Sequence, residues 1–499
     1  MVQARAGQLK IFRIVFLGIG VLQAICCWSG SSNAQQPRTQ PASGTPDSTA
    51  RPIVNSLPST FNPSSPLIRQ QALPGAARTS PAPAQLSLTD AIKLALDNNL
   101  ATLLAAEERR AATGFVQQAR SALLPNISGT TYQANATQNL AALGFQGGTF
   151  PGFTNTFLGP FNNFDARARL SQSIFDLSAI RNYQSSRAGL RVSEFQERVA
   201  REQVSEATAL TYLEALRTTR NVTSAQANVE LATTLLKLAQ DQRAAGVATG
   251  VDVTRAETRL AQERVGLAQA ETASEVSSLN LQRVIGVPLG SPLTLADPLR
   301  FAVEVLPTPQ VAVDQALSGR AEVLVSEANL KMADLERKSV KDELLPSLEF
   351  FGDYGVSGVT PTNNALPTRR VAVQLNVPIF NGGLTQGRLT VASSRAHEAE
   401  LQLSSVKGQV EEDVRLALSA LRTTVERVRA ADEGLVLAQR ELDMARDRFR
   451  AGIADNLEVV TAQTSLANAR SAQVEALAVY NAARVNLAAS LGRAESFRW

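Results

Sequence analysis

Side chains that could perform catalysis or bind a metal are few in this sequence, and they do not converge. The single histidine, His397, stands among Arg395, Glu398 and Glu400 in a segment of helical composition. Histidine chemistry needs partner groups that converge on the ring, whereas a run of charged helical residues is typical of a solvated surface. We therefore interpret His397 as a surface residue.

Patterns for binding phosphate or soft metals are missing as well. The glycines of residues 144–152 are not followed by the Lys-Ser/Thr pair of a phosphate loop. Met332 and Met444 are isolated, so the sequence does not predict a methionine ladder for copper or silver. We expect no enzymatic activity, no cofactor and no metal site, and we expect any ATP hydrolysis to belong to a partner protein.

The two cysteines, Cys26 and Cys27, lie in an N-terminal segment that is typical of an export signal. Three basic residues precede an apolar run at residues 14–25, and residues 32–34 are small enough for signal-peptidase cleavage. We expect residues 1–34 to be removed as a signal peptide, which leaves a mature chain with no cysteine and no disulfide. An uncleaved anchor and a lipid-anchored cysteine are the alternatives.

Charge and composition bound the part of the chain that follows. The formal net charge of +4 falls to +1 without the three basic residues of the signal, and a nearly neutral chain is not typical of nucleic-acid binding. Residues 35–85 contain ten prolines among many Ser, Thr, Gln and Ala residues. This composition predicts a flexible leader without a packed core.

The remainder of the chain contains the same plan twice. Residues 121–127 (SALLPNI) return as residues 342–348 (DELLPSL), and residues 243–248 (RAAGVA) return as residues 449–454 (FRAGIA). The landmarks keep their order, so we predict a first structural repeat at residues 86–295 and a second at residues 296–499.

Each repeat is predicted to contain a helix, two short strands and a long helical hairpin. The strands are expected at about residues 126–137 and 164–175 in the first repeat, and at about 347–358 and 369–380 in the second. The hairpins are expected at about residues 182–286 and 389–492, because these segments contain no proline and a glycine marks each turn. The fold class is therefore mainly α with a small transmembrane β part.

The predicted strands alternate between polar and apolar residues. Such alternation over about ten residues is what a barrel strand between lipid and water requires, but a soluble hairpin with one wet face has the same pattern. The polar positions expected to face a lumen are Asp165, Arg167, Arg169, Glu349, Asp353 and Arg370.

Four strands cannot close a membrane barrel, since about eight is the smallest natural number. Open strand edges in lipid are costly, so strands that enter the membrane must be shared among several chains, and three chains would give twelve. The alternative is a periplasmic coiled-coil adaptor or tether protein without a membrane barrel.

The ordered set of landmarks resembles the TolC-type outer-membrane efflux protein family. The set is helix, LLP, strand, loop, strand ending in VPIFNGG at residues 377–383, long helix, RAG turn, second helix and LG, and it covers residues 86–492. The resemblance implies a homotrimer in the bacterial outer membrane, with a shared β-barrel continued by a periplasmic α-helical barrel. It implies as partners a periplasmic adaptor protein and an inner-membrane transporter, besides the surrounding lipid.

The resemblance also implies roles for the two helical turns. They would be the periplasmic tips that dock the adaptor, formed by Ala245, Gly246 and Val247 and by Ala451, Gly452 and Ile453. Family members often narrow the entrance with an Asp-x-x-Asp pair after the second turn. The matching positions here are Glu458 and Thr461, with Asp252 and Arg255 at the equivalent places of the first repeat, so only one acid of the pair is present. Helix capping is the alternative role of Asp252 and Glu458.

Overall fold

A computed structural model describes residues 75–144, 156–302 and 306–498. The signal peptide, both cysteines, the leader up to residue 74 and the glycines of residues 147–152 lie outside the described residues. Within these ranges the predicted mainly helical fold with a small β part is confirmed.

The elements of the two halves follow one another in the same order. The first half contains β1 (Gln85–Leu86), α1 (Leu88–Asn98), α2 (Leu100–Ser121), β2 (Asn126–Asn139), β3 (Phe157–Phe175), α3 (Leu177–Ala244) and α4 (Gly250–Ile285). The second half begins at β4, slightly before the expected residue 296, and contains β4 (Thr294–Leu295), α5 (Pro309–Gly319), α6 (Ala321–Asp342), β5 (Ser347–Gly358), β6 (Leu366–Asn376), α7 (Leu384–Arg450) and α8 (Asn456–Ser490). The short strands β1 and β4 pair in parallel and so join the two halves.

The four longer strands form one antiparallel sheet in the order β2-β3-β5-β6. The central pair β3–β5 connects the two halves of the chain, and it aligns Arg169 with Asp353. The pair β5–β6 aligns Asp353 with Arg370. Within the described chain β2 and β6 are the edges of this sheet, and each leaves one row of backbone groups without a strand partner.

The helices α3 and α7 are the longest elements, with 68 and 67 residues. At about 1.5 Å per residue, each extends roughly 100 Å. Each turns at a glycine with positive φ, Gly246 (+77°) and Gly452 (+69°), into a second helix that packs back along it. No helix among the described residues is both long enough and apolar enough to span a membrane.

A buried tyrosine anchors each half: Tyr212 lies near the middle of α3, and Tyr480 lies toward the end of α8 that is farthest from the turn. The hydroxyl of Tyr212 lies 2.9 Å from the carbonyl oxygen of Leu86 and 2.9 Å from a carboxylate oxygen of Asp297. In the second half the hydroxyl of Tyr480 donates to the carbonyl oxygen of Ala302. Both tyrosines are at most 1 % exposed, and each lies in one of the larger hydrophobic clusters.

Several boundaries differ from those expected from sequence. The last part of the expected flexible leader is ordered, since the backbone N–H groups of Ala76, Ala77 and Ser80 donate to carbonyl oxygens of Arg283, Asn98 and Gly286. Strand β3 begins at Phe157 rather than at residue 164, and strand β6 ends at Asn376 rather than at residue 380, just before Pro378.

The long helices also begin earlier than expected. Asp176 caps α3, where its carboxylate accepts from the backbone N–H of Ala179 at 2.9 Å, so the helix starts at Leu177 rather than at residue 182. Helix α7 starts at Leu384, directly after Gly383 with φ +83°, rather than at residue 389. A capping aspartate and a left-handed glycine are both common at such boundaries.

A cluster of charged residues lies where α3, α6 and α7 meet. Arg320 donates to Asp413 at 2.7 Å and to Glu322 at 3.2 Å. Burial raises the pKa of the nearby Glu206 from 4.5 to about 7. The positive charge of Arg320 opposes the rise in this pKa, while the negative charges of Glu322, Asp413 and Glu202 add to it.

This raised pKa predicts a pH-dependent stability. Because the folded chain holds the Glu206 proton more tightly than the unfolded chain, the contribution of Glu206 is most favourable below pH 4.5 and is lost as pH rises through about 7. We expect Glu206→Gln to raise the free energy of unfolding at pH 8 by roughly 1–3 kcal/mol and to have little effect at pH 4. Denaturant unfolding at the two pH values measures the difference.

The exposed Glu398 of α7 supplies a matched control for this experiment. Glu398→Gln should change stability little at either pH, since exposed single charges contribute little. An equal effect of Glu206→Gln at pH 4 and pH 8 would contradict the assignment.

Candidate functional site: a charged sheet face and two helical tips

Strand register brings the six charged strand residues predicted from sequence onto one face of the sheet. Odd-numbered residues of β3 pair with odd-numbered residues of β5, and the odd-numbered residues of β5 pair with even-numbered residues of β6. This polar face contains Asp165, Arg167, Arg169, Glu349, Asp353 and Arg370. Strand β2 adds Ser128, Thr130 and Tyr132 to the same face, opposite Arg169, Arg167 and Asp165.

Four of these residues form a connected ion-pair network. Arg167 binds both carboxylate oxygens of Asp165, with its Nε at 2.5 Å from Oδ1, and its Nη1 reaches Asp353 at 3.3 Å. Arg370 donates from Nε to the other oxygen of Asp353 at 3.1 Å, and its guanidinium lies 5.8 Å from the ring centre of Phe351. The two carboxylates are therefore shared between two guanidinium groups, which restricts the rotamers of both arginines.

A glycine makes this network sterically possible. Gly355 lies opposite Arg167, and a Cβ placed on Gly355 would come within 2.5 Å of the Cβ of Arg167. Contacts below 3.0 Å cannot be accommodated between backbone-fixed atoms without a shift of the strands. The absent side chain leaves room for Arg167 beside β5, from which its guanidinium reaches Asp353.

The distribution of exposure across the sheet is inverted relative to a soluble protein. Asp165 and Asp353 on the polar face are only 3 % and 8 % exposed. On the opposite face Ile127, Val371 and Leu375 are 76 %, 71 % and 63 % exposed. Exposed aliphatic side chains on one face, with two covered carboxylates on the other, are typical of a sheet whose outer solvent is lipid.

The two helical turns lie side by side. The amide of Asn456, which is 2 % exposed, donates to the carbonyl oxygen of Asp252 at 2.7 Å, and Gln242 donates to the carbonyl oxygen of Arg450 at 3.4 Å. The turns present two exposed aliphatic side chains, Val247 at 58 % and Ile453 at 72 %. Sequence reasoning missed Asn456 and Gln242, since neither belongs to a pattern that distinguishes it from an ordinary helical residue.

The structure gives Asp252 the geometry of a helix cap. Its carboxylate accepts from the backbone N–H of Thr249 at 2.8 Å and from the Thr249 hydroxyl at 2.6 Å, in a reciprocal capping box. These hydrogen bonds from Thr249, with the charge of Arg255 at 3.7 Å, hold the pKa of Asp252 below its ordinary value. Asp252 is 7 % exposed, so its charge is directed into the turn rather than toward solvent.

The other two residues matched to the entrance have separate local partners. Glu458 lies 3.4 Å from the Nε of Arg448 and remains partly exposed. The hydroxyl of Thr461 donates to the carbonyl oxygen of Leu457 at 2.8 Å, within its own helix. The acids at the two tips are thus each paired with an arginine, and the described chain does not bring Asp252 and Glu458 together as one acidic pair.

The imidazole of His397 lies 3.3 Å from a carboxylate oxygen of Glu400, and both side chains are exposed. Over the described ranges no group of three or more His, Cys, Asp or Glu residues is arranged to hold a metal ion.

Residues 91–287 and 312–493 match the family model described as outer membrane efflux protein. The chain belongs to this family, whose members are transport channels of the outer membrane, and the resemblance inferred from its landmarks is confirmed.

Curated relatives and solved structures agree with this assignment. The chain is 24 % identical over 393 residues to the alkaline protease secretion protein AprF of Pseudomonas aeruginosa, a match covering 77 % of this chain and 80 % of AprF. It is 23 % identical over 401 residues to the proteases secretion protein PrtF of Dickeya chrysanthemi, covering 77 % and 83 % of the two chains. The outer membrane protein VceC of Vibrio cholerae has a similar fold, with a TM-score of 0.69 at 18 % identity, covering 81 % of this chain and 96 % of VceC.

The capping box generates a prediction about the tip. Asp252→Ala removes the acceptor for Thr249 and should weaken the start of α4 by about 1 kcal/mol. Because the pKa of Asp252 is lowered in the fold, its contribution is present at neutral pH and is lost as pH falls below about 4. Hydrogen exchange at residues 249–253 should therefore be faster in the variant at pH 7.

Asp241→Ala is a suitable control, because Asp241 is an exposed residue near the end of α3. If exchange at residues 249–253 were equally fast in the wild-type chain and in Asp252→Ala, the cap would contribute nothing to the order of the tip.

Proposed function

We propose that three copies of this chain form one channel, with a twelve-stranded barrel in the outer membrane and a helical sleeve in the periplasm. The observation that carries this proposal is the inverted sheet, in which Asp165 and Asp353 are covered while Val371 and Leu375 are exposed. Lipid around the barrel would cover the aliphatic face, and an aqueous lumen would hydrate the polar face.

The edges of the sheet support sharing among copies. Unpaired backbone groups cost several kcal/mol each in hydrocarbon, so a membrane sheet must close. Four strands are too few, since about eight is the minimum for a natural barrel. Edge strand β6 of one copy would pair with edge strand β2 of the next, and three such junctions close the ring without a free edge.

The helical hairpins would continue the barrel into the periplasm. Their tips expose Val247 and Ile453, which are suited to contact a periplasmic adaptor protein. An inner-membrane transporter would supply the energy for transport, and the present chain would conduct solutes passively without catalysing a reaction. Export of proteases, named for AprF and PrtF, is one candidate cargo class within efflux or type I secretion.

The geometry supports a proposal for which residues line each part of the channel. Asp165, Arg167, Arg169, Glu349, Asp353 and Arg370 would face the barrel lumen. Near the periplasmic mouth, Arg255, Glu458 and Thr461 would contribute the exposed groups, and Asp252 would chiefly hold the first tip in shape. The tip turns at residues 245–247 and 451–453 would form the docking surface.

Two neighbouring residues of β6 test which face meets lipid. Val373 lies on the aliphatic face, opposite Phe350, and Gln374 lies on the polar face, opposite Glu349. Val373→Arg should destabilise the assembled channel by roughly 2–4 kcal/mol, because it places a charge in lipid, whereas Gln374→Arg should cost much less.

The yield of heat-resistant assembly in outer-membrane fractions measures the difference, since both variants introduce the same side chain one residue apart. Equal loss in the two variants would contradict the proposed orientation, and a greater loss in Gln374→Arg would reverse it.

A further inference from the structure

Two arginines occupy the same level of the polar face and lie on either side of one aspartate. The register pairs Arg169 of β3 with Asp353 of β5, and Asp353 with Arg370 of β6. Three adjacent strands thus contribute two positive charges and one negative charge at this level. We call Arg169 and Arg370 the arginine band.

The carboxylates near the arginine band are already bound and covered. Asp353 accepts from Arg167 at 3.3 Å and from Arg370 at 3.1 Å, and it is 8 % exposed. Asp165 is held by Arg167 and is 3 % exposed. Neither acid is therefore presented to a solute that passes along this face.

The guanidinium groups of the band are presented instead. The side chain of Arg370 is 63 % exposed although it is bound to Asp353, and its guanidinium forms a cation–π contact with the ring of Phe351. Arg169 is exposed, and it forms no ion pair within 4.0 Å in the part of the chain that the structure describes. The surface offered at this level is cationic.

Neighbouring strands do not cancel this charge. Strand β2 contributes Ser128 beside Arg169, and no residue of β2 (NISGTTYQANATQN) is charged. A second copy whose β2 pairs with β6 would therefore bring no carboxylate to Arg370. The nearest exposed acid on this face, Glu349, lies four residues along β5 from Asp353, about 13 Å at ~3.3 Å per residue. That distance exceeds the Debye length of about 8 Å at physiological ionic strength.

Lipid behind the same strands would strengthen the electric field of the arginine band. Gly352 and Val371 of the aliphatic face lie next to this level, and lipid behind them would have a low dielectric constant. Low-dielectric walls concentrate the field of charges that line a cleft. Arginine also presents a planar fork of donors that matches carboxylate and phosphate groups.

We propose that the arginine band binds anionic groups of small solutes, such as carboxylate, phosphate or sulfonate. This inference rests on the trimeric channel proposed above. Each of the three copies would contribute Arg169 and Arg370 to the band. The acids at the tips do not oppose this preference strongly, since Asp252 and Glu458 each have an arginine within 4 Å.

Ion selectivity of the purified full-length channel in planar bilayers tests the proposal, with potassium chloride as the probe. In a salt gradient, Arg169→Gln should lower the permeability ratio of chloride to potassium by roughly two-fold, because one charge per copy is lost from the lumen. The effect should fade at high salt, where the field is screened. Arg169 is the residue to change because its loss breaks no ion pair.

Arg369→Gln is a matched control with the same change of charge. Arg369 pairs with Tyr354 on the aliphatic face, one residue from Arg370. It should leave the permeability ratio unchanged, and Glu349→Gln should raise the ratio because it removes an exposed acid from the same lumen.

The outcomes separate this inference from the proposal of a channel. A channel that conducts normally but has the same permeability ratio in Arg169→Gln and the wild-type chain overturns the arginine band alone. An equal shift in Arg369→Gln overturns it too, since the effect would then not depend on the polar face. A chain that forms no conducting pore overturns the proposed function and the band together.

Discussion

The four-stranded sheet carries charges on one face and aliphatic side chains on the other, and it has two unpaired edges. Both the aliphatic face and the unpaired edges are unfavourable in water. In water, the exposed Ile127, Val371 and Leu375 and the free edges of β2 and β6 would favour aggregation. In lipid, the same aliphatic face is solvated, but each free edge becomes more costly. The proposed closure with further copies would leave the aliphatic face in lipid and pair both edges.

The rest of the chain follows from this constraint. Each half of the duplicated plan supplies two strands, and the central pair β3–β5 joins the two halves within one chain. The helices α3 and α7 begin within a few residues of the strands β3 and β6, so the position of the sheet fixes where the long hairpins start. Tyr212 and Tyr480 then tie each hairpin to a connecting segment, so that two roughly 100 Å helices are held at one end by the sheet and along their length by neighbouring helices.

Sequence periodicity predicted the four longer strands, the long hairpins and the polar face of the sheet. It missed the short strands β1 and β4 and the division of the helix before each strand pair into two helices. Alternation at Asp165, Arg167 and Arg169 depends only on the two-residue period of a strand, so their common face could be predicted without knowing the partner strand. The contact of Arg167 with Asp353 could not be predicted, because it depends on the register between β3 and β5 and on the missing side chain of Gly355.

At the helical tips the sequence predicted some side-chain roles and missed others. A family pattern suggested an acidic entrance, and Asp252 is at the equivalent place of the first repeat, but the carboxylate of Asp252 forms a capping box with Thr249, three residues earlier. That pair is visible in the sequence as a T-x-x-D motif, so this role had a local signal. The contact between Asn456 and the carbonyl oxygen of Asp252 had none, because it joins residues 204 positions apart in two different hairpins. The packing of residues 75–85 was missed for the same reason, since proline-rich composition does not report contacts with Asn98 and Gly286.

Whether several copies of the chain share one barrel can be measured by native mass spectrometry of the full-length protein, extracted from outer membranes in mild detergent. We expect a single species with the mass of three mature chains, which dissociates into monomers only when the strands unfold. A stable, folded monomer that conducts ions in a bilayer would contradict this expectation, because four strands would then have closed a pore on their own.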